Sequence, residues 1–434
     1  MEQDTLLEKP AAPKSWIQKL KEESWNAELL VTTISIFGAL QLFDLVAWLA
    51  NFFIDNLDSS QYLVAYSIVY FSLLAVSIMM SMFVIHFILR AYWVGLLGLN
   101  SVFPDYSIEN SAYSPLYTKK LLATLPKLKD SIKKVDELCS VIFSVAFTFL
   151  LLYLYLGIFN TIYLLLFNLL VDYVPSYILL IPMYLIAGLM IVQTLLVLLG
   201  SKGKNRENEH LQSWTVRLVR FVAVILYGPF HKAITQVMMI FGSNYKKKKN
   251  LVYLIILFLT SGMILSAFKM FDTNIPFLIN QKQVFDVTKS HAAFYASEDA
   301  DVDFLLNPEI ESDVIHSDVV RLFIPIYEHE KKLRKGVCEA ILETKSETRD
   351  AKVAALLECY SQYNYVSIND GEPLELDFLG RYHTKTEQFG IITYIPLTDI
   401  EPGMHKIKVR KYYGEEQDAV EWIVPFYYAP NEHK

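Results

Sequence analysis

Long apolar runs separated by short polar connections occupy the chain up to residue 271, and short alternating segments follow them. Four of the runs exceed the roughly 20 apolar residues that a helix needs to cross the hydrocarbon layer. They cover residues 29–54, 62–89, 141–171 and 177–199. A fifth run, at 251–271, is also long enough. The pattern predicts a polytopic α-helical membrane domain at 29–271, after a cytoplasmic interfacial segment at 1–28.

Basic residues distinguish the two sides of this membrane domain. Lysines and arginines are frequent in the connections at 90–140 and 200–213, whereas the turns at 55–61 and 172–176 contain acids and no basic residue. Short loops rich in Lys and Arg stay in the cytoplasm. We therefore predict that the N-terminus is cytoplasmic and that both turns face outwards.

The run at 214–241 is ambiguous, because basic residues lie on both sides of it. Arg217 and Arg220 stand near its start, a lysine cluster follows it at 246–249, and Gly228-Pro229 interrupts it. A re-entrant or interfacial segment gives five spans and an extracytoplasmic tail. A sixth span instead makes the tail cytoplasmic. The positive-inside rule favours the five-span interpretation.

The tail at 272–434 changes from a helical period to strand-like patterns. Short apolar or alternating segments lie at 319–327, 374–378, 390–397, 406–410 and 420–428. Turn residues such as Asn369-Asp370-Gly371 separate them, and one helix is expected at 351–360. Several short strands at this spacing predict a soluble, mainly β domain that is similar to an antiparallel sandwich.

Charge and composition support the same division. Basic residues exceed acidic ones by 5 in residues 1–271, and acidic residues exceed basic ones by 12 in residues 272–434. With 53% hydrophobic residues and a mean hydropathy of +0.30, the chain has the composition neither of a disordered protein nor of a basic nucleic-acid binder. The acidic tail is long enough to bury a core of its own.

Two cysteines of the tail, Cys338 and Cys359, are the candidate disulfide. An isolated pair in an oxidising compartment is expected to be bridged, and two reduced, buried cysteines in a cytosolic domain are the alternative. No Asn-x-Ser/Thr sequon occurs in the chain. This favours a bacterial inner membrane over a eukaryotic secretory route.

Motifs for catalysis are absent from the sequence. It contains no phosphate loop, dinucleotide fingerprint, zinc-protease motif, serine-hydrolase elbow or Cys-x-x-Cys pair. An acidic run begins like a calcium loop, but Phe304 occupies the position that needs glycine; its acids are Glu298, Asp299, Asp301 and Asp303. The histidines are isolated. We therefore expect no enzymatic activity, no cofactor and no metal site.

Ionisable residues inside a membrane domain are costly and mark functional sites. Asp44 lies in the outer part of the first span, and His231 and Lys232 lie beside the Gly228-Pro229 break, where backbone groups are exposed. These three residues are the candidate membrane polar site, with interfacial snorkelling as the alternative. Basic residues near the membrane surface attract anionic lipid. The candidates for that contact are Arg217, Arg220, Lys246, Lys247, Lys248 and Lys249.

These observations favour a membrane-embedded envelope protein that is not an enzyme. Its extracytoplasmic β-domain is expected to bind a ligand or a protein, with an envelope protein or a second copy of the chain as partner and no nucleic acid. The alternative is a transporter or channel whose path runs near Asp44 and the break at Gly228-Pro229. An enzyme acting on membrane lipids ranks third, because the acids and histidines are not clustered.

Overall fold

The computed structural model describes residues 16–103, 112–171, 173–244, 250–279, 292–297, 303–331, 334, 337–338, 349–412 and 420–430. Helices dominate the first part of the chain, and the described part of the tail also contains helix. They are α1 (Trp16–Asn56), α2 (Tyr62–Val102), α3 (Pro115–Leu122), α4 (Leu128–Leu170), α5 (Ser176–Leu179), α6 (Ile181–Gly200), α7 (Glu209–Tyr227), α8 (His231–Asn244), α9 (Asn250–Phe271) and α10 (Arg349–Tyr363).

Five helices of the described residues are long and apolar enough to cross a membrane, in agreement with a multi-pass membrane protein. They are Ala27–Asn56, Tyr62–Val102, Leu128–Phe167, Tyr177–Gly200 and Glu209–Ile240. The first four correspond to the four long apolar runs of the sequence, although the third ends at Phe167, before the end of the run at 141–171. The fifth differs from expectation. We expected the run at 251–271 to be the fifth span, but Glu209–Ile240 is the segment that is long and apolar enough. The apolar part of α9, Ile255–Phe271, is shorter than the other candidate spans. At about 1.5 Å per residue, the whole of α9 is about 33 Å long.

Two helices continue well beyond their apolar runs. α2 ends at Val102 instead of near residue 89, and α4 begins at Leu128 instead of near residue 141. Lys129, Lys133 and Lys134, which we expected in a loop, therefore lie on the first turns of α4. Backbone hydrogen bonds extend a helix whether or not its side chains are apolar, and lysine, leucine and glutamate are good helix formers.

An apolar core joins α1, α2, α4 and α9 in the first of two compact units, which covers the chain to Val46 and Tyr70–Lys269. Its buried side chains come from all four helices; they include Ala39, Met82, Ile142 and Phe258. α9 approaches α2 closely at Gly262, where a Cβ would lie 2.4 Å from Cγ1 and 2.8 Å from Cα of Ile78. Glycine permits such an approach because it has no side chain.

Two four-stranded sheets form the tail. Their strands are β1 (Glu309–Ile310), β2 (Val314–Ile315), β3 (Val319–Pro325), β4 (Asn364–Ile368), β5 (Leu379–Tyr382), β6 (Phe389–Pro396), β7 (Gly403–Lys411) and β8 (Val420–Tyr428). One sheet has the order β1-β3-β6-β5, and all its pairs are antiparallel. The other has the order β2-β8-β7-β4, in which β2 pairs with β8 in parallel and the remaining pairs are antiparallel.

An apolar core receives side chains from both sheets. Leu322 and Ile324 of β3 belong to it, as do Ile407 and Val409 of β7, and each pair is two residues apart. This spacing places both members of a pair on the same face of a strand. The strands predicted at 319–327, 390–397, 406–410 and 420–428 and the helix predicted at 351–360 are confirmed.

The strand predicted at 374–378 is wrong. This segment connects β4 in one sheet with β5 in the other, and it contains no strand. Leu376 and Phe378 nevertheless pack against the core that both sheets share. The alternation at Leu376 and Phe378 therefore reflects burial of these two side chains along a crossing segment, without the pairing that defines a strand.

The second compact unit combines the tail with the tip of the α1–α2 hairpin, as Ala47–Val69 and Met270–Lys434. Nδ2 of Asn274 donates a hydrogen bond to Oδ1 of Asn51 at 2.8 Å. The ring centre of Phe277 lies 6.3 Å from that of Tyr62, the first residue of α2. The chain therefore emerges from α9 beside the turn that joins α1 to α2.

α9 runs antiparallel to α2 and hence in the same direction as α1. Gly262 lies against Ile78, well inside α2. Phe277, shortly after the end of α9, lies against Tyr62 at the start of α2. As the chain proceeds along and beyond α9, it thus lies beside progressively earlier residues of α2.

Candidate functional site

The three predicted membrane residues lie on two helices, Asp44 on α1 and His231 with Lys232 on α8. Asp44 is exposed on α1, and within the described residues no hydrogen bond or ion pair joins it to His231 or Lys232. His231 begins α8, and its Nδ1 lies 2.8 Å from the carbonyl oxygen of Gly228. Because a carbonyl oxygen only accepts, Nδ1 carries the hydrogen. His231 therefore satisfies a backbone group at the break, while Lys232 is exposed.

Gly228 makes the break between α7 and α8 a tightly packed junction. Its φ is +47° and its ψ is −126°, a conformation that side chains disfavour. A Cβ at this position would lie 2.1 Å from Cε2 of Tyr155 in α4. Pro229 follows in a short 3-10 turn and cannot continue the hydrogen bonding of α7. The break predicted from the sequence is present, and α4 supports it.

Arg90 is the centre of a buried charge cluster that links α1, α2 and α4. Its side chain is only 2% exposed. Nη1 donates to Oδ1 of Asp136 at 2.8 Å, and Nη2 lies 3.0 Å from Oε2 of Glu28. A planar guanidinium can face two carboxylates at once in fixed directions, which a lysine ammonium does less well. Arg90 thus connects its own helix to two neighbouring helices.

His86 extends the cluster by one helical turn. It is fully buried, and its Nδ1 lies 2.9 Å from Oγ1 of Thr32. Its Nε2 lies 4.0 Å from Oε2 of Glu28. The guanidinium of Arg90 also lies over the ring of Trp93, 4.3 Å from its centre. Polar groups of three helices therefore meet in one place.

The sequence alone did not predict this cluster, although the spacing of its residues contains a signal. His86 and Arg90 are four residues apart, as are Glu28 and Thr32, and this spacing places each pair on one helix face. Which faces meet depends on how the helices pack. Removing one member of a buried ion pair typically costs about 3–5 kcal/mol. The cluster therefore fixes the relative positions of α1, α2 and α4.

Asp55, near the end of α1, is held by the loop after β3. The main-chain N–H of Glu328 donates to Oδ1 of Asp55 at 3.1 Å. The main-chain N–H of His329 donates to the carbonyl oxygen of Asp55 at 2.9 Å, and Nδ1 of His329 lies 3.1 Å from the same oxygen. Three hydrogen bonds thus converge on one residue of the hairpin tip.

Glu330 directly follows this loop, and its side chain is fully buried in the β-domain. Its Oε1 lies 2.5 Å from Nζ of Lys411, and its Oε2 accepts a hydrogen bond from the hydroxyl of Tyr363 at 3.1 Å. Lys411 also donates to the carbonyl oxygen of Pro325 at 2.6 Å. Burial lowers the pKa of Lys411 and raises the pKa of Tyr363. Every charge in this group has a close partner, as burial requires.

A second buried polar pair, Glu309 and His383, lies beside the sheet that contains β1. Oε1 of Glu309 is 3.2 Å from Nε2 of His383. The main-chain N–H of Thr386 donates to Nδ1 of His383 at 3.2 Å, which leaves Nε2 to face the carboxyl group. Burial raises the pKa of Glu309, and His383 opposes this shift. The adjoining cavity measures about 60 Å³, which is far below the size of a usual ligand pocket.

The exposed face of the second sheet carries a larger cleft of about 510 Å³. Its lining combines aromatic and charged side chains; they are Tyr365, Ser367, Pro373, Lys408, Arg410, Tyr412 and Glu421. Tyr365 lies opposite Arg410 in the β4–β7 pair, and Arg410 lies opposite Glu421 in the β7–β8 pair. The ring centres of Tyr365 and Tyr412 are 6.5 Å apart. Aromatic faces beside a few fixed polar groups are typical of binding sites.

Charged groups at this cleft are held by a tight turn. Asn369 and Asp370 have φ values of +50° and +61°, and the N–H of Gly371 donates to the carbonyl oxygen of Ile368. Carboxylate oxygens of Asp370 lie 2.6 Å from Nζ of Lys406 and 3.1 Å from Nζ of Lys408. Hydrogen bonds from these ammonium groups lower the pKa of Asp370. The turn predicted from Asn369-Asp370-Gly371 is confirmed.

Of the predicted lipid contacts, Arg217 and Arg220 lie on the exposed side of α7. They line a groove of about 690 Å³. The remaining candidates, Lys246, Lys247, Lys248 and Lys249, lie outside the described residues.

The predicted disulfide between Cys338 and Cys359 is present. Of the acidic run, Asp303 is described, whereas Glu298, Asp299 and Asp301 lie outside the described residues. In the part of the chain that the structure describes, no group of three or more His, Cys, Asp or Glu side chains is placed to hold a metal ion.

The chain matches no known protein-family model, no curated protein and no solved structure.

Proposed function

We propose that the chain is a multi-pass protein of a bacterial inner membrane with a cytoplasmic N-terminus. Its C-terminal domain is a β-sandwich outside the cytoplasm that binds a ligand or a protein of the envelope. The observation that carries the proposal is the attachment of the tail to the α1–α2 turn through Asp55, Glu328 and His329. The tail therefore shares a side with a turn that contains no basic residue, and such turns are translocated.

The direction of α9 supports five crossings. α9 runs parallel to α1, so it crosses from the cytoplasmic side when α1 does. α6 ends on the cytoplasmic side in the same scheme, and α7 and α8 connect α6 to α9. The α7–α8 segment then begins and ends on the cytoplasmic side of the membrane, as a re-entrant or interfacial pair of helices. The break at Gly228 suits a chain that turns back.

The disulfide between Cys338 and Cys359 supports the same placement. Disulfides persist in oxidising compartments such as the bacterial periplasm and are rare in the cytosol.

Labelling of introduced cysteines tests the topology. Ser361, exposed on α10, and Ser201, exposed after α6, are each replaced in turn by cysteine. A membrane-impermeant maleimide added to intact, outer-membrane-permeabilised cells should label Ser361→Cys and should label Ser201→Cys only after lysis. The native cysteines do not interfere, since Cys139 is buried and the other two are bridged. Labelling of Ser201→Cys alone in intact cells would overturn the proposal.

The cleft on the second sheet is the proposed binding surface. A photoreactive phenylalanine analogue at Tyr365 should form a covalent adduct in cells, because this tyrosine lines the cleft. The matched control is the same analogue at Tyr394, which is exposed on the other sheet. The adduct should disappear when Arg410→Ala is added. Adducts of equal yield at both positions, or an adduct that Arg410→Ala leaves unchanged, would contradict the assignment.

A further inference from the structure

We propose that the groove on α7 binds one anionic phospholipid. The lipid phosphate lies between Arg217 and Arg220, and an acyl chain follows Phe221 and Val224. This inference does not depend on the side of the membrane that the tail occupies.

The groove is amphipathic along its length. It is lined by Gln212, Ser213, Val216, Arg217, Arg220, Phe221 and Val224. Its uncharged polar side chains lie towards the start of α7 and its two arginines in the middle. Val216 precedes the arginines, and the other two apolar side chains, Phe221 and Val224, lie towards the end. From Gln212 to Val224 the helix advances about 18 Å, at about 1.5 Å per residue. This order of polar, cationic and apolar groups matches a headgroup, a phosphate and a lipid chain.

The two arginines are available to an external anion. Both are exposed, and neither forms an ion pair with a carboxylate in the described residues. The guanidinium of Arg217 lies 5.7 Å from the ring centre of Trp214, which is 66% exposed. Guanidinium groups bind phosphate through paired N–H donors, and tryptophan favours the headgroup layer of a membrane.

The rest of α7 holds this face in place. Thr215 and Val222 are buried on the opposite side. At the start of the helix, the side chain of Asn208 accepts a hydrogen bond from the N–H of Leu211. Nε2 of Gln212 donates to the carbonyl oxygen of Gly200 at 3.0 Å. The groove therefore lies on a capped helix that is anchored to the end of α6. The helix is already formed before a lipid binds.

An anionic phospholipid fits this groove better than its simpler alternatives. Free phosphate satisfies the arginines but leaves the apolar end without an occupant. A zwitterionic lipid fills the apolar end but brings a cation of its own close to the arginines. Each basic residue near a membrane surface contributes about a fivefold preference for anionic lipid.

Fluorescence quenching tests the proposal on the full chain. The protein is reconstituted into phosphatidylcholine nanodiscs that contain a minor fraction of phosphatidylglycerol, with bromine on the acyl chains of one lipid or the other. The signal of Trp214 is obtained as the difference from a Trp214→Phe variant. Brominated phosphatidylglycerol should quench Trp214 more strongly, mole for mole, than brominated phosphatidylcholine.

The arginine variants identify the site. Arg217→Gln and Arg220→Gln should each reduce the preference for phosphatidylglycerol about fivefold. The matched control, Lys202→Gln with Arg206→Gln, removes two charges from the neighbouring exposed turn and should leave the preference unchanged. Equal quenching by both lipids in the unmodified protein would overturn the proposal, as would a loss in the control as large as in the arginine variants.

Inorganic phosphate distinguishes the two sources of the anion. Potassium phosphate should reduce the quenching no more than potassium chloride of equal ionic strength. Displacement by phosphate alone would show a site for free phosphate and would overturn the assignment to a lipid.

Discussion

The carbonyl oxygen of Asp55 receives both the main-chain N–H and Nδ1 of His329, at 2.9 and 3.1 Å. Asp55 stands one residue before the end of α1, and His329 belongs to the loop after β3. The residue after His329 is Glu330, whose carboxylate meets Lys411 inside the β-domain. One short loop therefore connects the tip of the hairpin to a fully buried ion pair of the tail.

Asp55→Ala should weaken this connection. It removes the acceptor for the N–H of Glu328 but keeps the carbonyl bonds to His329, so we expect a loss of about 1–2 kcal/mol. Asp55→Asn is the control, because its amide oxygen can still accept. Thermal unfolding in detergent, followed by near-ultraviolet circular dichroism, measures the difference. Equal stability of the alanine variant and the unmodified protein would contradict a stabilising role for Asp55.

Arg90→Ala should destabilise the helical unit strongly. It removes the buried cation that the partly buried carboxylates of Glu28 and Asp136 share, and we expect a loss of about 3–5 kcal/mol. A triple variant, Arg90→Met with Glu28→Gln and Asp136→Asn, removes all three charges and should recover much of that loss. Thermal aggregation in detergent compares the variants. If the triple variant is no more stable than Arg90→Ala, the ion pairs do not explain the effect.

Tyr363→Phe should change how stability depends on pH. It removes the hydrogen bond to Glu330, so we expect a loss of about 1 kcal/mol at neutral pH. Burial raises the pKa of Tyr363 above its usual value of 10.0. Its phenol therefore contributes fully below pH 10 and progressively less as the pH rises further, because the unfolded chain loses that proton first.

The free energies of unfolding of the unmodified protein and of Tyr363→Phe should consequently differ less at pH 11 than at pH 7. Urea unfolding at both pH values gives the two differences. A gap that stays constant or widens at high pH would be inconsistent with this account.

Gly228→Ala should disrupt the junction between α7 and α8. The positive φ disfavours a side chain, and the new Cβ would meet the ring of Tyr155, so we expect a loss above about 2 kcal/mol. Gly188→Ala is the matched control, because a Cβ there meets nothing within 4 Å. Adding Tyr155→Ala to Gly228→Ala should restore part of the stability by relieving the clash. Thermal unfolding in detergent measures all four proteins.

Removal of the disulfide should destabilise the tail. Cys338 and Cys359 are 21 residues apart. Closing a loop of this size restricts the unfolded chain, so the double variant with serine at both positions should lose about 3 kcal/mol. Urea unfolding with and without dithiothreitol provides the check. Reductant should lower the stability of the unmodified protein to that of the variant and leave the variant unchanged.

Much of the secondary structure follows from local patterns. Apolar runs of sufficient length predicted the long helices, and Gly228-Pro229 predicted the break, because hydrophobic length and proline act on the residues that carry them. In the tail, apolar or alternating segments predicted the strands that turned out to be paired in a sheet, namely β3, β6, β7 and β8. At 374–378 the alternation misled, because burial of Leu376 and Phe378 does not require a paired strand.

The candidate sites were harder to predict, because each joins residues that are distant in the sequence. Arg90 becomes the centre of a charge cluster only because α1 and α4 place Glu28 and Asp136 beside it. In the sequence, Asp55 is one of the acids of the turn at 55–61. Its contact with His329 depends on the position of the loop after β3.

By itself, the sequence indicated most of the long helices, four of the strands and the segments that are apolar enough for a membrane. Only the tertiary structure decided which polar faces meet, on which end of the hairpin the tail is attached, and in which direction α9 runs. The physical reason is that hydrophobicity and backbone preference act locally, whereas buried ion pairs and hydrogen bonds depend on the packing of whole elements.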